Sequence, residues 1–164
     1  TDIVFDFDLR KMIKEESKGD YEFVTDSEME ASMRAVVKAE SGQISGNVDD
    51  KNKLMDDKAV IYLYKKGTYS SSEMNGSGTS SITFKNAVSS STVDSTGKFH
   101  LAFIEDGEYE LYLYNYNDSD KDGRYEISGM TQLMINGETS FSGSDLKNNT
   151  QMNLDLTLTA ILPL

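Results

Sequence analysis

The stretch Asn117-Asp118-Ser119-Asp120-Lys121-Asp122-Gly123-Arg124-Tyr125-Glu126 holds the densest run of potential oxygen ligands in the chain. Carboxylates at alternate positions, with glycine at the sixth, match the front half of a calcium-binding loop. Asp118, Asp120 and Asp122 would supply carboxylates, Arg124 its backbone carbonyl, and Glu126 a direct or water-mediated contact. The twelfth position is Gly129, where such a loop needs a bidentate glutamate, and strand patterns rather than helices flank it, so it is no EF-hand. A polar hairpin whose acids keep a sheet edge solvated competes with this account. Three carboxylates within six residues repel unless a cation sits among them, which favours a structural Ca2+.

Tyrosines form a second constellation. Tyr62 and Tyr64 share one face of a strand pattern, and Tyr112, Tyr114 and Tyr116 share one face of another. If those strands are neighbours, their rings make an aromatic platform able to stack on glycans or on a partner protein. The plainer alternative is that tyrosine is a favoured strand residue and cross-strand pairs stabilise the sheet. Catalysis is poorly served. The one histidine, His100, alternates with Phe99 and Leu101 and so faces solvent, no nucleophile-elbow motif exists, and a zinc site needs more than one His or Cys ligand. The chain is therefore expected not to be an enzyme.

The elements that must position these residues are strands. Met152, Leu154, Leu156 and Leu158 alternate with polar residues, as do Phe99, Leu101 and Phe103, and then Tyr109, Leu111 and Leu113. Shorter candidates lie at 43–48, 59–65, 81–85, 124–128 and 131–136. Asp94-Ser95-Thr96-Gly97, Glu105-Asp106-Gly107, Asp122-Gly123 and Asn136-Gly137 supply turn chemistry between them. About seven short strands with such punctuation give an all-β sandwich over residues 41–164. The Ser/Gly-rich stretch from Gly67 to Ser81 reads as a solvated loop.

Residues 1–40 form an N-terminal extension too small to bury a core of its own. Ile3 to Phe7 predicts a strand, and Asp8 would cap a short helix through Lys14. Met29, Met33, Val36 and Val37 have helical spacing, yet Met33, Ala35 and Val37 also fit a strand. The net charge of −12 argues against nucleic-acid and anionic-lipid partners. No apolar run reaches the roughly 20 residues that span a bilayer.

Four segments in order carry a resemblance: Gly42-Gln43-Ile44-Ser45-Gly46-Asn47-Val48, Ala59-Val60-Ile61-Tyr62-Leu63, Thr92-Val93-Asp94-Ser95-Thr96-Gly97-Lys98-Phe99 and Asp106-Gly107-Glu108-Tyr109-Glu110-Leu111. From about Ser41 to Leu158 the chain resembles the immunoglobulin-like or prealbumin-like sandwiches found as carboxypeptidase-regulatory-like and Cna B-type domains. Some of those domains carry an internal Lys–Asn isopeptide bond. Lys38 and Asn153 would be the partners here, but no lysine falls clearly within the first strand run, so none is expected. The opening Ile3-Val4-Phe5-Asp6-Phe7-Asp8-Leu9-Arg10-Lys11, followed by Ala31-Ser32-Met33-Arg34-Ala35-Val36-Val37, is similar to the tail of a bacterial envelope lipoprotein family of unknown function. That similarity implies an extracytoplasmic protein, a strand at Met33–Val37, and no catalytic residues. Two roles follow as expectations. One is a structural or binding module of a cell-envelope lipoprotein, with other envelope or extracellular proteins as partners. The other is a fibre or adhesin subunit in which the unpaired strand Ile3–Phe7 completes a neighbour's sheet. Glycan binding through the tyrosine face could accompany either.

Overall fold

The computed structural model describes residues 1–17, 20–49, 58–75, 82–158 and 162–163. The chain is a β-sandwich carrying an N-terminal extension. The extension runs β1 (Ile3–Phe7), α1 (Leu9–Met12), β2 (Ile13–Ser17), β3 (Asp20–Phe23), α2 (Asp26–Met29) and β4 (Met33–Val37). The sandwich follows as β5 (Ser41–Asp49), β6 (Lys58–Lys65), β7 (Ser89–Thr92), β8 (Lys98–Glu105), β9 (Glu108–Asn117), β10 (Glu126–Gln132), β11 (Met134–Ile135), β12 (Phe141–Ser142), β13 (Gln151–Thr157) and β14 (Leu162–Pro163).

One sheet has the order β14-β10-β9-β6-β7, with β12 also on β9, and the other has the order β11-β13-β5-β8. Within the second sheet β5 runs parallel to β13 and antiparallel to β8. The period-two pattern explains the packing between the sheets. Ala59, Ile61, Leu63, Leu111 and Leu113 face Ile44, Val48, Leu101, Leu154 and Leu156 across one buried core. Tyr109 closes the β8–β9 hairpin: its hydroxyl donates to the Glu105 carbonyl at 2.7 Å, and burial with the nearby Glu105 carboxylate pushes its pKa up to about 12. Gly46 is required by this core, because a Cβ there would lie 2.5 Å from the Phe99 ring and 2.6 Å from the Leu154 carbonyl.

Several expectations change. The helix at Leu9 is capped by Asp8, whose side chain accepts from Arg10 N, but it gives way to β2 at Ile13 instead of reaching Lys14. Of the two alternatives for the Met29–Val37 region, the strand holds as β4; the helical one does not, because α2 ends at Met29 and a short 3-10 turn over Glu30–Ser32 follows. Candidate 124–128 starts only at Glu126, where β10 begins, and candidate 131–136 is split between the end of β10 and β11. The candidate at 81–85 is no strand in its described part: 83–86 form turns, and Phe84 takes a left-handed φ of 54°. Ile3–Phe7, expected to be unpaired, lies antiparallel to β4 of its own chain, with Phe5 opposite Ala35.

Candidate functional site

The acidic loop joins β9 to β10. Tyr116 pairs with Ile127 and Asn117 with Glu126 at its base, so the antiparallel ladder holds the two ends together. The structure brings one oxygen each of Asp118, Asp120 and Asp122 to within 4.8 Å of one another, on half-buried to exposed side chains. Glu126 starts β10 and stands outside this group. Backbone amides already engage the carboxylates. Asp118 accepts from Asp122 N and Gly123 N at 3.0 Å each, Asp120 from Asp122 N at 3.3 Å, and Asp122 from Arg124 N at 2.9 Å. The Arg124 guanidinium lies 3.8 Å from Asp122 and offsets part of the charge. Left-handed backbone at Lys121 (φ 59°) and Gly123 (φ 91°) turns these amides inward. The cluster thus has the hard oxygen donors a calcium ion takes. It also has enough N–H donors to close the loop by itself.

The tyrosine face is a correction. Tyr62, Tyr64, Tyr112 and Tyr114 are buried, and Tyr116 is half-buried, because the sheet they stand on is covered on both sides. The cover comes from the segment expected to be a solvated loop, Gly67 to Ser81, and from residues 82–87 that follow it. Tyr69 stacks on Tyr112 at 3.6 Å between centroids and Phe84 stacks on Tyr62 at 3.9 Å, while Met74 and Ala87 fill between. Residues 76–81 of that loop lie outside the described residues. The phenols are satisfied within the layer: Tyr62 with Tyr116 at 2.8 Å and Tyr69 with Tyr114 at 2.6 Å. Burial, first of all, pushes the pKa values of Tyr62, Tyr64, Tyr112 and Tyr114 far above the ordinary phenol value. On β6 and β9 these tyrosines therefore form no open platform for a glycan to stack on.

Two buried charges that sequence reasoning missed hold this cover in place. Glu73, 2% exposed, accepts from the Tyr64 hydroxyl at 3.0 Å, Asn86 N at 3.0 Å and Asn86 Nδ2 at 2.6 Å. Lys11, 5% exposed, reaches in from α1 and donates to the carbonyls of Ala87 (2.6 Å), Lys85 (3.1 Å) and Ala31 (3.3 Å). Desolvation lowers the Lys11 pKa, against the raising influence of Asp8 and Glu73. The Asp-Phe-Asp-Leu-Arg-Lys stretch is therefore a clamp. Asp6 pairs with Arg34, which also donates to the Phe103 carbonyl on the β8 edge. Asp8 and Arg10 both bond Ser90 of β7.

The chain matches no protein-family profile and no curated protein sequence. Among solved structures, a Pseudomonas aeruginosa protein to which carbohydrate binding has been ascribed aligns over 73% of this chain and 91% of its own, at 13% identity and a TM-score of 0.38. BcpA, the major pilin subunit of Bacillus cereus, aligns over 77% of this chain at 15% identity and a TM-score of 0.35, and the chain spans 32% of that protein. Neither likeness bears on function. No helix among the described residues is long and apolar enough to cross a membrane.

The clamp leaves one surface bare. Of the ten large hydrophobic side chains exposed among the described residues, eight precede residue 34. Ile3, Phe5 and Phe7 of β1 share a face with Met33 and Ala35 of β4, while Val36 and Arg34 turn toward the sandwich. Leu9, Ile13, Tyr21 and Phe23 add to the exposed set, Phe23 at 68%. Lys38 and Asn153, the two ends of the isopeptide bond considered and not expected, are both exposed.

Proposed function

We propose that this chain is a non-catalytic, extracytoplasmic structural module whose N-terminal ribbon docks on another protein domain of the cell envelope and carries the sandwich outward. The bare apolar face of β1 and β4 supports it. Phe5 is 59% exposed on a ribbon that Lys11, Arg34 and Arg10 fix rigidly to the sandwich, and apolar surface concentrated in this way marks an interaction site. The similarity of its opening residues to an envelope lipoprotein tail agrees with that placement. A different protein suits the face better than a second copy, since every copy brings a further charge of −12. Strand exchange has less support, because β1 already has its partner in β4. The acidic loop is where such a module would take structural calcium.

Light scattering together with binding of an anilinonaphthalene dye tests the docking face. The expected result is a monomer that binds the dye through this ribbon, with binding lost in Phe5→Ser/Phe7→Ser while the melting temperature holds. A stable dimer that the same double substitution dissolves would replace the partner with a second copy. Absence of dye binding would remove the docking role.

A further inference from the structure

The outer face of the four-stranded sheet carries an ordered array of polar side chains, and it owes nothing to the docking ribbon. Register places Asn153 of β13 beside Ser45 of β5, and Ser45 beside His100 of β8. The next row sets Asp155, Asn47 and Lys98 side by side in the same way. Neighbours within a row are about 4.8 Å apart and the rows are about 6.7 Å apart, from strand spacing and two-residue rise. Ser91, Thr92 and Asp94 raise a rim along one side, and Phe99 and Leu154 lie at the floor of the resulting cavity of about 630 Å3. That volume suits a small ligand. Part of the array is already oriented. Ser45 Oγ and His100 Nδ1 share a hydrogen bond at 2.9 Å, His100 N donates to Ser91 Oγ at 3.1 Å, and Gln151 donates to Asn153 at 3.1 Å.

We infer that this groove binds a neutral polyhydroxylated ligand, a short glycan segment. The chemistry of the two rows selects that class. Asp155 only accepts and Lys98 only donates, while Ser45, Asn47, Asn153 and His100 do both. Asp155 and Lys98 stand about 9.6 Å apart, two strand spacings, and Asp94 on the rim adds a second carboxylate on which Lys98 also acts. An anion would meet Asp155 and a cation would meet Lys98, each at a cost. An apolar peptide would strip water from six polar side chains without replacing its hydrogen bonds. A sugar hydroxyl donates and accepts at once, so a run of them answers every position.

The chain has one histidine, so the His100 imidazole gives a single set of NMR signals that reports on this groove alone. Titration with neutral tetrasaccharides of glucose and of N-acetylglucosamine should shift those signals saturably at millimolar concentration or below. His100→Asn and Asn153→Ala, both at exposed positions, should each weaken binding about tenfold, with Glu138→Ala as the unchanged control. Unmoved imidazole signals with every neutral sugar would overturn the inference. So would binding that survives both substitutions, or binding confined to anionic oligosaccharides.

Discussion

Replacing Glu73 tests whether the second aromatic layer is locked by one carboxylate. Glu73→Leu removes the acceptor for the fully buried Tyr64 hydroxyl and for the Asn86 backbone and side-chain donors. Each buried donor left without a partner costs about 1–3 kcal/mol. The Lys11 ammonium also loses the influence of one nearby carboxylate, the lesser of Asp8 and Glu73. These costs overlap because they share one side chain, and burying a leucine there offsets part of them, so about 4 kcal/mol is expected. For a chain of 164 residues, that lowers Tm by about 8–16 °C. Glu73→Gln should cost far less, about 1–2 kcal/mol. Its remaining oxygen still serves Tyr64 and Asn86 N, and Asn86 can turn its amide to accept from the new NH2. Urea melts followed by tyrosine fluorescence measure both, undisturbed because the chain has no tryptophan. Hydrogen exchange over residues 69–75 and 82–87 shows whether the loss is local. A Glu73→Leu protein within about 1 kcal/mol of the parent, or one no weaker than Glu73→Gln, would refute the lock.

Other consequences are open to test. Seven of the nine tyrosines have pKa values raised above 10.0, with burial the largest cause each time for Tyr62, Tyr64, Tyr69, Tyr109, Tyr112, Tyr114 and Tyr116. A raised folded pKa means that the native state holds protons the unfolded chain releases, so their stabilisation is complete below about pH 10 and is lost as pH climbs beyond it. Lys11, lowered, works in the opposite direction as one group against seven. Absorbance at alkaline pH should show these seven tyrosines ionising only with cooperative unfolding; the seven titrating together near pH 10 in a folded protein would contradict the buried layer. Millimolar calcium should stabilise the fold relative to chelator, by about 2.7 kcal/mol at a hundred times the dissociation constant, and so raise Tm, and Asp120→Ala should abolish the rise. Identical melts would leave a hairpin closed by its own amides. Gly46→Ala should cost about 1–3 kcal/mol, since the Phe99 ring and the Leu154 carbonyl must both move; an unchanged melt would show slack in the core.

Much of the sandwich was legible because its inner core obeys period two. Leu154 and Leu156 on β13, and Phe99 and Leu101 on β8, alternate with exposed polar residues, and both strands are open to water on their outer face. β6 and β9 break that simplicity. Ala59-Val60-Ile61-Tyr62-Leu63-Tyr64 is buried at every position, and alternation between aliphatic and aromatic side chains looks like inside and outside when both sides are inside. The signal was there in the absence of any charged residue from Ala59 to Tyr64, the mark of a strand covered on both faces. Its cover was hidden because Tyr69 and Met74 sit singly among serines and glycines, while Phe84 stands in a stretch whose alternation reads as a strand but which folds as turns. The acidic loop was readable as a local motif. Lys11 and Glu73 were not: Lys11 takes its partners from segments distant in sequence, and Glu73 takes its from either side of it only once the cover folds over β6.

The clamp at Asp6 to Lys11 has a consequence for how the chain holds together. A two-stranded ribbon such as β1–β4 is marginal alone in water, and this one turns Ile3, Phe5 and Phe7 away from the sandwich. Its order comes from its inward face, through the buried Val36 and through polar contacts: Arg34 on the β8 edge, Asp8 and Arg10 on Ser90, and Lys11 beneath the aromatic cover. Lys11 ends on the carbonyls of Lys85 and Ala87, which belong to the same cover that Glu73 secures. Loosening that cover therefore also loosens the ribbon's anchor. A protein that used its apolar ribbon only to bury core would have turned it inward. Spending polar contacts to hold it facing outward is what a docking surface requires.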